Sequence, residues 1–162
     1  MKKYQIGDNR FVVVKSSKDS HTVSIIENGS SKSIDFPFKR WACLTRVFLP
    51  QIEEAVKQLE AGQEVKFQER IGGKAHVSVT TPYACVDLRE FYWHPLLGER
   101  PTKKGIALRL HEFKRLLEVI PLVNSQNPTL EKTLLCIESP QHQTQESAMN
   151  CTECYPYQFE PG

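Results

Sequence analysis

The stretch Lys32-Ser33-Ile34-Asp35-Phe36-Pro37-Phe38 is matched 72 residues later by Lys104-Gly105-Ile106-Ala107-Leu108-Arg109-Leu110. Beyond it, the same shift pairs apolar residues with apolar residues: Trp41 with Phe113, Leu44 with Leu116, Val47 with Val119, and Phe48 with Ile120. Two copies are too few for a solenoid, which usually needs three or more repeats. The repeat therefore predicts two small units of mixed helix and strand that pack as an internal dimer.

Composition sets limits on the class of protein. The chain has 162 residues and is 40% hydrophobic, which is enough for one medium domain or two closely packed halves. No stretch approaches the 18 or so consecutive apolar residues of a membrane span, and we expect no secretory signal at the start. The five cysteines are odd in number and irregularly spaced, which favours a reducing compartment over a disulfide framework.

The formal net charge of +2 hides an uneven distribution. Residues 1–62 and 63–123 each carry ten basic and seven acidic residues, whereas 124–162 carry one lysine and five glutamates. A basic body with an acidic tail suits a polyanionic partner, although ordinary surface charge would look similar. We therefore divide the chain into a first repeat (1–62), a second repeat (63–123) and a mostly flexible acidic tail (124–162).

Strand and helix signals follow the same order in both halves. Alternating apolar residues bounded by turn formers predict strands at 10–15, 21–27 and 33–36, and then at 66–70, 75–79, 84–93 and 104–108. An apolar stripe at helical spacing begins near Phe38 and again near Leu110. We expect Pro50 to kink the first helix, Pro121 to end the second, and residues 94–101 to form a loop.

Two segments of the second half carry distinctive motifs. Val86-Asp87-Leu88-Arg89-Glu90-Phe91-Tyr92-Trp93-His94-Pro95 combines aliphatic-Asp-aliphatic-Arg-Glu with adjacent aromatics and a proline, and Arg100-Pro101-Thr102-Lys103-Lys104-Gly105-Ile106-Ala107-Leu108 follows the pattern basic-Pro-x-basic-Lys-Gly-Ile-small-Leu. Both segments resemble those of the positive cofactor 4 family of transcriptional coactivators, which bind single-stranded DNA. The first half resembles the family at Tyr4-Gln5-Ile6-Gly7 and the strand after it, at Trp41, and at 53–59.

The resemblance implies an α+β fold of two ββββα repeats with antiparallel, curved sheets. Members of the family pair as homodimers through their helices. Since this chain carries both copies, we expect an intramolecular pseudo-dimer that is monomeric in solution. The implied function is that of a nuclear transcriptional coactivator or regulator without enzymatic activity. Its expected partners are single-stranded DNA, RNA as an alternative strand, and proteins of the transcription machinery, with no membrane.

Binding a single strand without sequence preference requires cations for phosphates and flat side chains for bases. The candidate contacts of the second repeat are Arg89, Arg100, Lys103 and Lys104 for phosphate, with Tyr92 for stacking by its position in the family pattern. Strand alternation places Phe91 and Trp93 on the face opposite Tyr92. We expect Phe91 in the core, whereas Trp93 fits the core and stacking equally well. The candidate contacts of the first repeat are Arg10, Lys15, Lys18, His21 and Lys32, of which the turn lysines could equally be solvated.

The two repeats depart from the pattern in different places. The first repeat has Ile25-Ile26-Glu27 where the second has Arg89. The turn at 80–83 of the second repeat retains only Tyr83 of the family's basic and aromatic residues. These departures leave two readings open: a composite, asymmetric groove, or a duplicated protein-interaction scaffold whose affinity for nucleic acid has weakened.

Three of the five cysteines and one histidine cluster near the end of the chain. Cys136, His142, Cys151 and Cys154 are spaced C-x5-H-x8-C-x2-C, and the last pair has the spacing of two zinc ligands on one turn. A zinc site on these four residues is one interpretation, and incidental tail thiols or a redox-active pair are the others. We expect Cys43 and Cys85 in the core. No cofactor other than zinc is expected, and no nucleophile–base pair or phosphate-binding glycine loop indicates an enzyme.

Overall fold

The computed structural model describes residues 2–139 and 151–157, and it contains two four-stranded antiparallel sheets. The strands are β1 Lys2–Gln5, β2 Arg10–Ser16, β3 His21–Glu27, β4 Ser33–Pro37, β5 Lys66–Gly72, β6 Ala75–Thr80, β7 Cys85–His94 and β8 Gly98–Arg109. In each sheet the strands pair in chain order, β1-β2-β3-β4 and β5-β6-β7-β8. The predicted α+β fold of two ββββα repeats is thus confirmed.

A helical segment follows each sheet and begins at residues 72 apart, as the repeat predicts. The helices are α1 Phe38–Cys43, a π-helical turn Leu44–Phe48, α2 Leu49–Glu60, α3 Leu110–Ser125, α4 Pro128–Glu131 and a 3₁₀ turn Cys136–Glu138. Pro50 lies in the first turn of α2, directly after the π-helical turn, where its missing N–H costs little.

Two local predictions are corrected by the structure, and one strand was missed. Pro121 does not end the second helix, because Val119, Ile120 and Val123 around it are buried and hold the helix together to Ser125. Residues 94–101 are not a loop: β7 and β8 continue past the sheet as a two-stranded arm that turns at residues 95–97. β1 was not predicted, because its four residues are mostly polar and exposed.

The two repeats share one hydrophobic core. The faces of both sheets that carry Val12, Ile25, Val77 and Leu88 pack against the helices, and all four side chains are buried. The helices of the two repeats also contact each other directly, because Trp41 Nε1 donates a hydrogen bond to Asn124 Oδ1 at 3.1 Å. The predicted packing as an internal pseudo-dimer therefore describes the observed architecture.

Residues of the segment 124–162, expected to be mostly flexible, are structured where they are described. α3 continues to Ser125, and Leu130 in α4 is buried in the common core. Residues 151–157, which we call the C-terminal segment, lie against the second sheet and α1. No helix among the described residues is long and apolar enough to cross a lipid bilayer.

Candidate nucleic-acid interface

Each sheet has a second face, turned away from the helices, which we call its outward face. In the first sheet one row across this face runs Gln5, Phe11, Ile26 and Ser33. The corresponding row of the second sheet runs Arg70, His76, Arg89 and Gly105. Because Ser33 and Gly105 are related by the 72-residue shift, the strand register places Ile26 at the position of Arg89, as the sequence comparison indicates.

Arg89 lies near the middle of the outward face of the second sheet. Its guanidinium forms an ion pair with Asp87 at 3.0 Å and donates to the Thr102 carbonyl at 3.0 Å. Gly105 lies directly opposite, where a Cβ atom would come within 2.6 Å of the Leu88 carbonyl oxygen and 2.8 Å of Arg89 Cα. The glycine therefore permits the close approach of β8 that holds Arg89 in place.

Aromatic side chains continue this face along the arm. Phe91 is buried and stacks on His76 with ring centroids 4.1 Å apart, so the prediction that it is a packing residue is confirmed. Burial is the largest influence on the pKa of His76 and lowers it, although the neighbouring Glu99 carboxylate acts in the opposite direction. His76 is thus engaged by Phe91 on its ring face and by Glu99 at Nε2, 2.5 Å away, within the protein.

Tyr92 and Arg100 form a cross-strand pair on the opposite face of the arm. The Tyr92 side chain is 44% exposed, and Arg100 is exposed beside it. A flat ring next to a cation is the arrangement that stacking on a base and contact with its phosphate require. Because Arg89 and Tyr92 point to opposite faces of β7, the structure does not bring all the predicted contacts of the second repeat onto one face.

The predicted cations divide into two groups by what they already bind. Five of them are exposed and have no ion pair in the described part of the chain: Lys15, Lys18, Lys32, Arg100 and Lys103. Lys104 is partly buried and reaches from β8 to β4, where it contacts Asp35 at 3.1 Å and Ser33 at 3.0 Å. Lys104 therefore joins the two repeats at the seam between the sheets.

Arg10 is placed quite differently from the other predicted contacts. Its side chain is only 11% exposed and forms ion pairs of 3.0 Å with both Glu27 and Glu112. It also donates a hydrogen bond to the Ala107 carbonyl. Its charge is thus used to join β2 to the second repeat, and we leave Arg10 out of the proposed contact set.

The structure shows one candidate contact that sequence reasoning missed. On the outward face of the first sheet, Lys3 Nζ lies 4.4 Å from the centre of the half-buried Phe11 ring. The signal was present in the sequence, because strand alternation places Phe11, Val13 and Lys15 on the face opposite Val12 and Val14. It could not be used without β1, the strand that carries Lys3.

The C-terminal segment lies over part of the second outward face. Arg70 donates hydrogen bonds to the carbonyls of Glu153 and Cys154, at 2.8 and 2.7 Å. The ring of Tyr157 lies 5.7 Å from that of Trp93, which is itself 40% exposed. The first outward face has no such cover among the described residues. Trp93 therefore packs against the chain's own C-terminal segment on one side and remains accessible on the other.

Of the predicted zinc ligands, the structure brings together Cys136, Cys151 and Cys154. Their sulfur atoms all lie within 4.8 Å of one another. His142 lies outside the described residues. Cys43 and Cys85 are partly buried and belong to no such cluster among the residues that the structure describes.

Part of the second repeat is similar to a known protein family. The family model described as Transcriptional Coactivator p15 (PC4) matches residues 83–119, which span β7, the arm, β8 and the first part of α3. No curated protein and no solved structure matches the chain. The protein is PC4-like, and its two sheets are consistent with a tandem duplication. The matched family is one of nucleic-acid-binding coactivators.

Proposed function

We propose that this PC4-like protein binds single-stranded DNA and acts as a nuclear transcriptional coactivator or regulator. The observation that carries the proposal is the exposed cross-strand pair of Tyr92 and Arg100, with Lys103 nearby on the same strand. The aromatic ring offers a face to an unpaired base, and the two cations neutralise phosphates and release counterions. A duplex hides its base faces by stacking, so this pair favours a single strand.

The first repeat extends the contact with the strand. Lys15 and Lys18 lie at the turn between β2 and β3, and Lys32 precedes β4. All three are exposed, and Lys32 is related by the 72-residue shift to Lys104 at the seam between the sheets. We propose that a bound strand runs from the arm of the second repeat across the seam to these lysines. Arg89 and Trp93 lie on the opposite face of β7 from Tyr92, and we leave them out of this path.

The proposal also covers the assembly state and partners of the protein. One chain supplies both repeats and both sets of helices, so a single copy can present the whole surface as a monomer. Proteins of the transcription machinery are the expected further partners. We propose DNA rather than RNA as the strand, which competition between a deoxythymidine and a uridine oligonucleotide tests directly.

Equilibrium binding of a fluorescent oligo-dT strand to charge-reversal variants tests the proposal. We expect Arg100→Glu with Lys103→Glu to weaken binding strongly and to reduce the magnitude of the salt slope by about 1.4, or about 0.7 for each phosphate that the variant no longer neutralises. The matched control is Lys57→Glu with Lys132→Glu, which makes the same charge change at exposed sites on the helical side. An equal weakening of binding in the two double variants would contradict the proposal.

The stacking role of Tyr92 has its own test in the same assay. Tyr92→Ala removes the ring and should weaken binding by about 5- to 150-fold, corresponding to about 1–3 kcal/mol per stacked base. Tyr92→Phe keeps the flat face and should bind within about two-fold of the parent chain. If both substitutions have the same small effect, Tyr92 does not stack on the strand.

A second candidate function, a protein-interaction scaffold, is favoured by the tip of the arm. Leu96 and Leu97 at the turn are 89% and 58% exposed, and two adjacent apolar side chains in water are typical of a contact with another protein. In addition, the first repeat has Ile26 at the position that Arg89 occupies in the second repeat, so it lacks that cation. On this hypothesis Leu96→Ser with Leu97→Ser abolishes partner capture, while oligo-dT binding is weak in the parent chain and unchanged in the variant.

A further inference from the structure

Three thiols from two segments of the tail meet beside the second sheet. Cys136 lies in the 3₁₀ turn, and Cys151 and Cys154 lie in the C-terminal segment. Their sulfur atoms are within 4.8 Å of one another, and none of them forms a disulfide. A single disulfide could join only two of these three sulfurs, so their convergence requires another explanation.

The spacing of the sulfurs fits a tetrahedral zinc ion. Zinc–thiolate bonds of about 2.3 Å place two sulfur ligands about 3.8 Å apart. The three sulfurs therefore need to approach one another by no more than about 1 Å to bind the same ion. Soft thiolate ligands in tetrahedral geometry select zinc over magnesium or calcium, which prefer oxygen ligands.

The three thiols are linked by hydrogen bonds before any ion binds. Cys151 makes backbone hydrogen bonds with Glu153 and Cys154, and the three side chains hydrogen-bond to one another. An entering cation would displace the thiol protons.

Fixed positive charges lie close to the cluster. Lys39 and Arg70 line the same cavity as Cys136 and Cys154. Three thiolates around one Zn²⁺ carry a net charge of −1, which nearby positive charge would offset. The cluster is therefore complementary in charge as well as in geometry.

The backbone that carries the last two cysteines is held on several sides. Tyr155 N donates to the Cys151 carbonyl at 2.8 Å, which closes the turn. Gly73 N donates to the Glu153 carbonyl at 2.8 Å, and the Glu153 carboxylate accepts two hydrogen bonds from Arg40. Contacts to both repeats thus position the two thiols before any ion binds.

We propose that Cys136, Cys151 and Cys154 bind one zinc ion, which fastens the C-terminal segment to the 3₁₀ turn at Cys136–Glu138. The role is structural, since the ion joins two parts of the chain that only a few polar contacts otherwise connect. The fourth ligand is not among the described residues of the cluster. Cys43 lines the adjacent cavity of about 510 Å³ but is not part of the cluster. The site is independent of the proposed strand binding.

Metal analysis of the full chain, purified under reducing conditions, tests the proposal. We expect about one zinc per chain, and replacement by Co²⁺ should give the intense near-ultraviolet absorbance of thiolate-to-cobalt charge transfer. Each of the variants Cys136→Ser, Cys151→Ser and Cys154→Ser removes one zinc ligand. Each should weaken zinc binding by more than about 100-fold, which is the largest loss expected when only a hydrogen bond that supports a ligand is removed. Cys85→Ser, at the far end of β7, is the matched control and should bind zinc as the parent chain does.

A second measurement remains informative if a serine variant folds poorly. In the parent chain, zinc should slow amide hydrogen exchange in residues 151–157, and a chelator should reverse the effect without loss of strand and helix signal in circular dichroism. Three results would each overturn the proposal: no thiolate-to-cobalt band in the reduced chain, equal zinc affinity of the Cys85 and Cys151 variants, or a Cys151–Cys154 disulfide that forms in preference to zinc binding.

Discussion

The internal repeat relates two places, which we call corners, where a helix of one repeat lies near a strand of the other. The charged residues at the two corners differ. At the first corner Arg10 of β2 pairs with Glu112 of α3, at the junction of the two repeats. At the second corner the equivalent positions hold Ala75 of β6 and Arg40 of α1. On the strands, Arg10 pairs with Glu27 in the first sheet and Ala75 pairs with Glu90 at the corresponding place in the second. On the helices, Arg40 precedes Glu112 by 72 residues, which is the repeat shift.

Without a charged partner on the strand, Arg40 binds a residue from outside the repeats. Glu153 of the C-terminal segment receives both hydrogen bonds of the Arg40 guanidinium, at 2.9 and 3.0 Å. The segment therefore supplies the carboxylate that the duplicated fold lacks at this corner. The comparison teaches that 151–157 complete the second repeat rather than being an appendage to it.

The largest effect is expected from breaking the first corner. Arg10→Met would leave the Glu112 carboxylate, 4% exposed, without its cation, and should lower the free energy of unfolding by about 3–5 kcal/mol. Urea denaturation measures the change. The double variant Arg10→Met with Glu112→Met removes both charges and should recover most of the loss. A loss below about 1 kcal/mol for the single variant would show that the corner is not a structural ion pair.

A smaller effect is expected at the second corner. A double-mutant cycle of Arg40→Ala and Glu153→Ala should give a coupling energy of about 1–2 kcal/mol, because the pair is bidentate and its side chains are only 13% and 19% exposed. The exposed pair Lys114–Glu60 is the matched control and should couple by less than about 0.5 kcal/mol. Equal coupling in the two cycles would mean that the C-terminal segment does not complete the corner.

The smallest effect concerns the seam, where Lys104 meets Asp35 on β4. Burial would raise the pKa of Asp35, but the hydrogen bonds from Ser24 and Lys104 and the charge of Lys104 lower it below 3.8. Since the unfolded carboxyl then binds protons more readily, the stabilisation is fully present above pH 3.8 and is lost as the pH falls through the lower, folded value. Both groups are substantially exposed, so the effect is below about 1 kcal/mol.

Denaturation midpoints of the parent chain and Asp35→Asn, measured on either side of pH 3.8, check this last effect. The difference in stability between the two proteins should shrink on acidification. An unchanged difference would show that the seam does not depend on the Asp35 charge. The 72-residue shift relates Lys32 to Lys104 and Asp35 to Ala107. Because Ala107 carries no charge, Lys32 has no ion partner among the described residues, unlike Lys104.

The sequence could predict those parts of the fold that depend on local patterns. The 72-residue shift located the starts of both helices, and strand alternation located β3 from His21 to Glu27. The arm was missed because Pro95 and Gly98 have the composition of a loop, whereas its strands are held by pairings such as Tyr92 with Arg100. Pairing between strands is decided by register, which composition does not reveal.

The sequence could not show which of the predicted contacts are already held by partners within the protein. Nothing local to Arg10 shows that its partner Glu112 lies 102 residues away, so a structural arginine resembled a phosphate contact. Likewise, Arg70 and Trp93 gave no sign that residues beyond 150 would pack against them. In both cases the role of the side chain is set by a partner distant in sequence.

The most direct test of the central account is the salt dependence of oligo-dT binding by the parent chain. The account assigns phosphates to five exposed cations that have no ion pair in the described chain, and each of them contributes about −0.7 to the slope of log affinity against log salt concentration. We therefore predict a slope of about −3 to −4, and weaker binding to the matching duplex. A slope near zero, or equal affinity for single and double strands, would contradict the account.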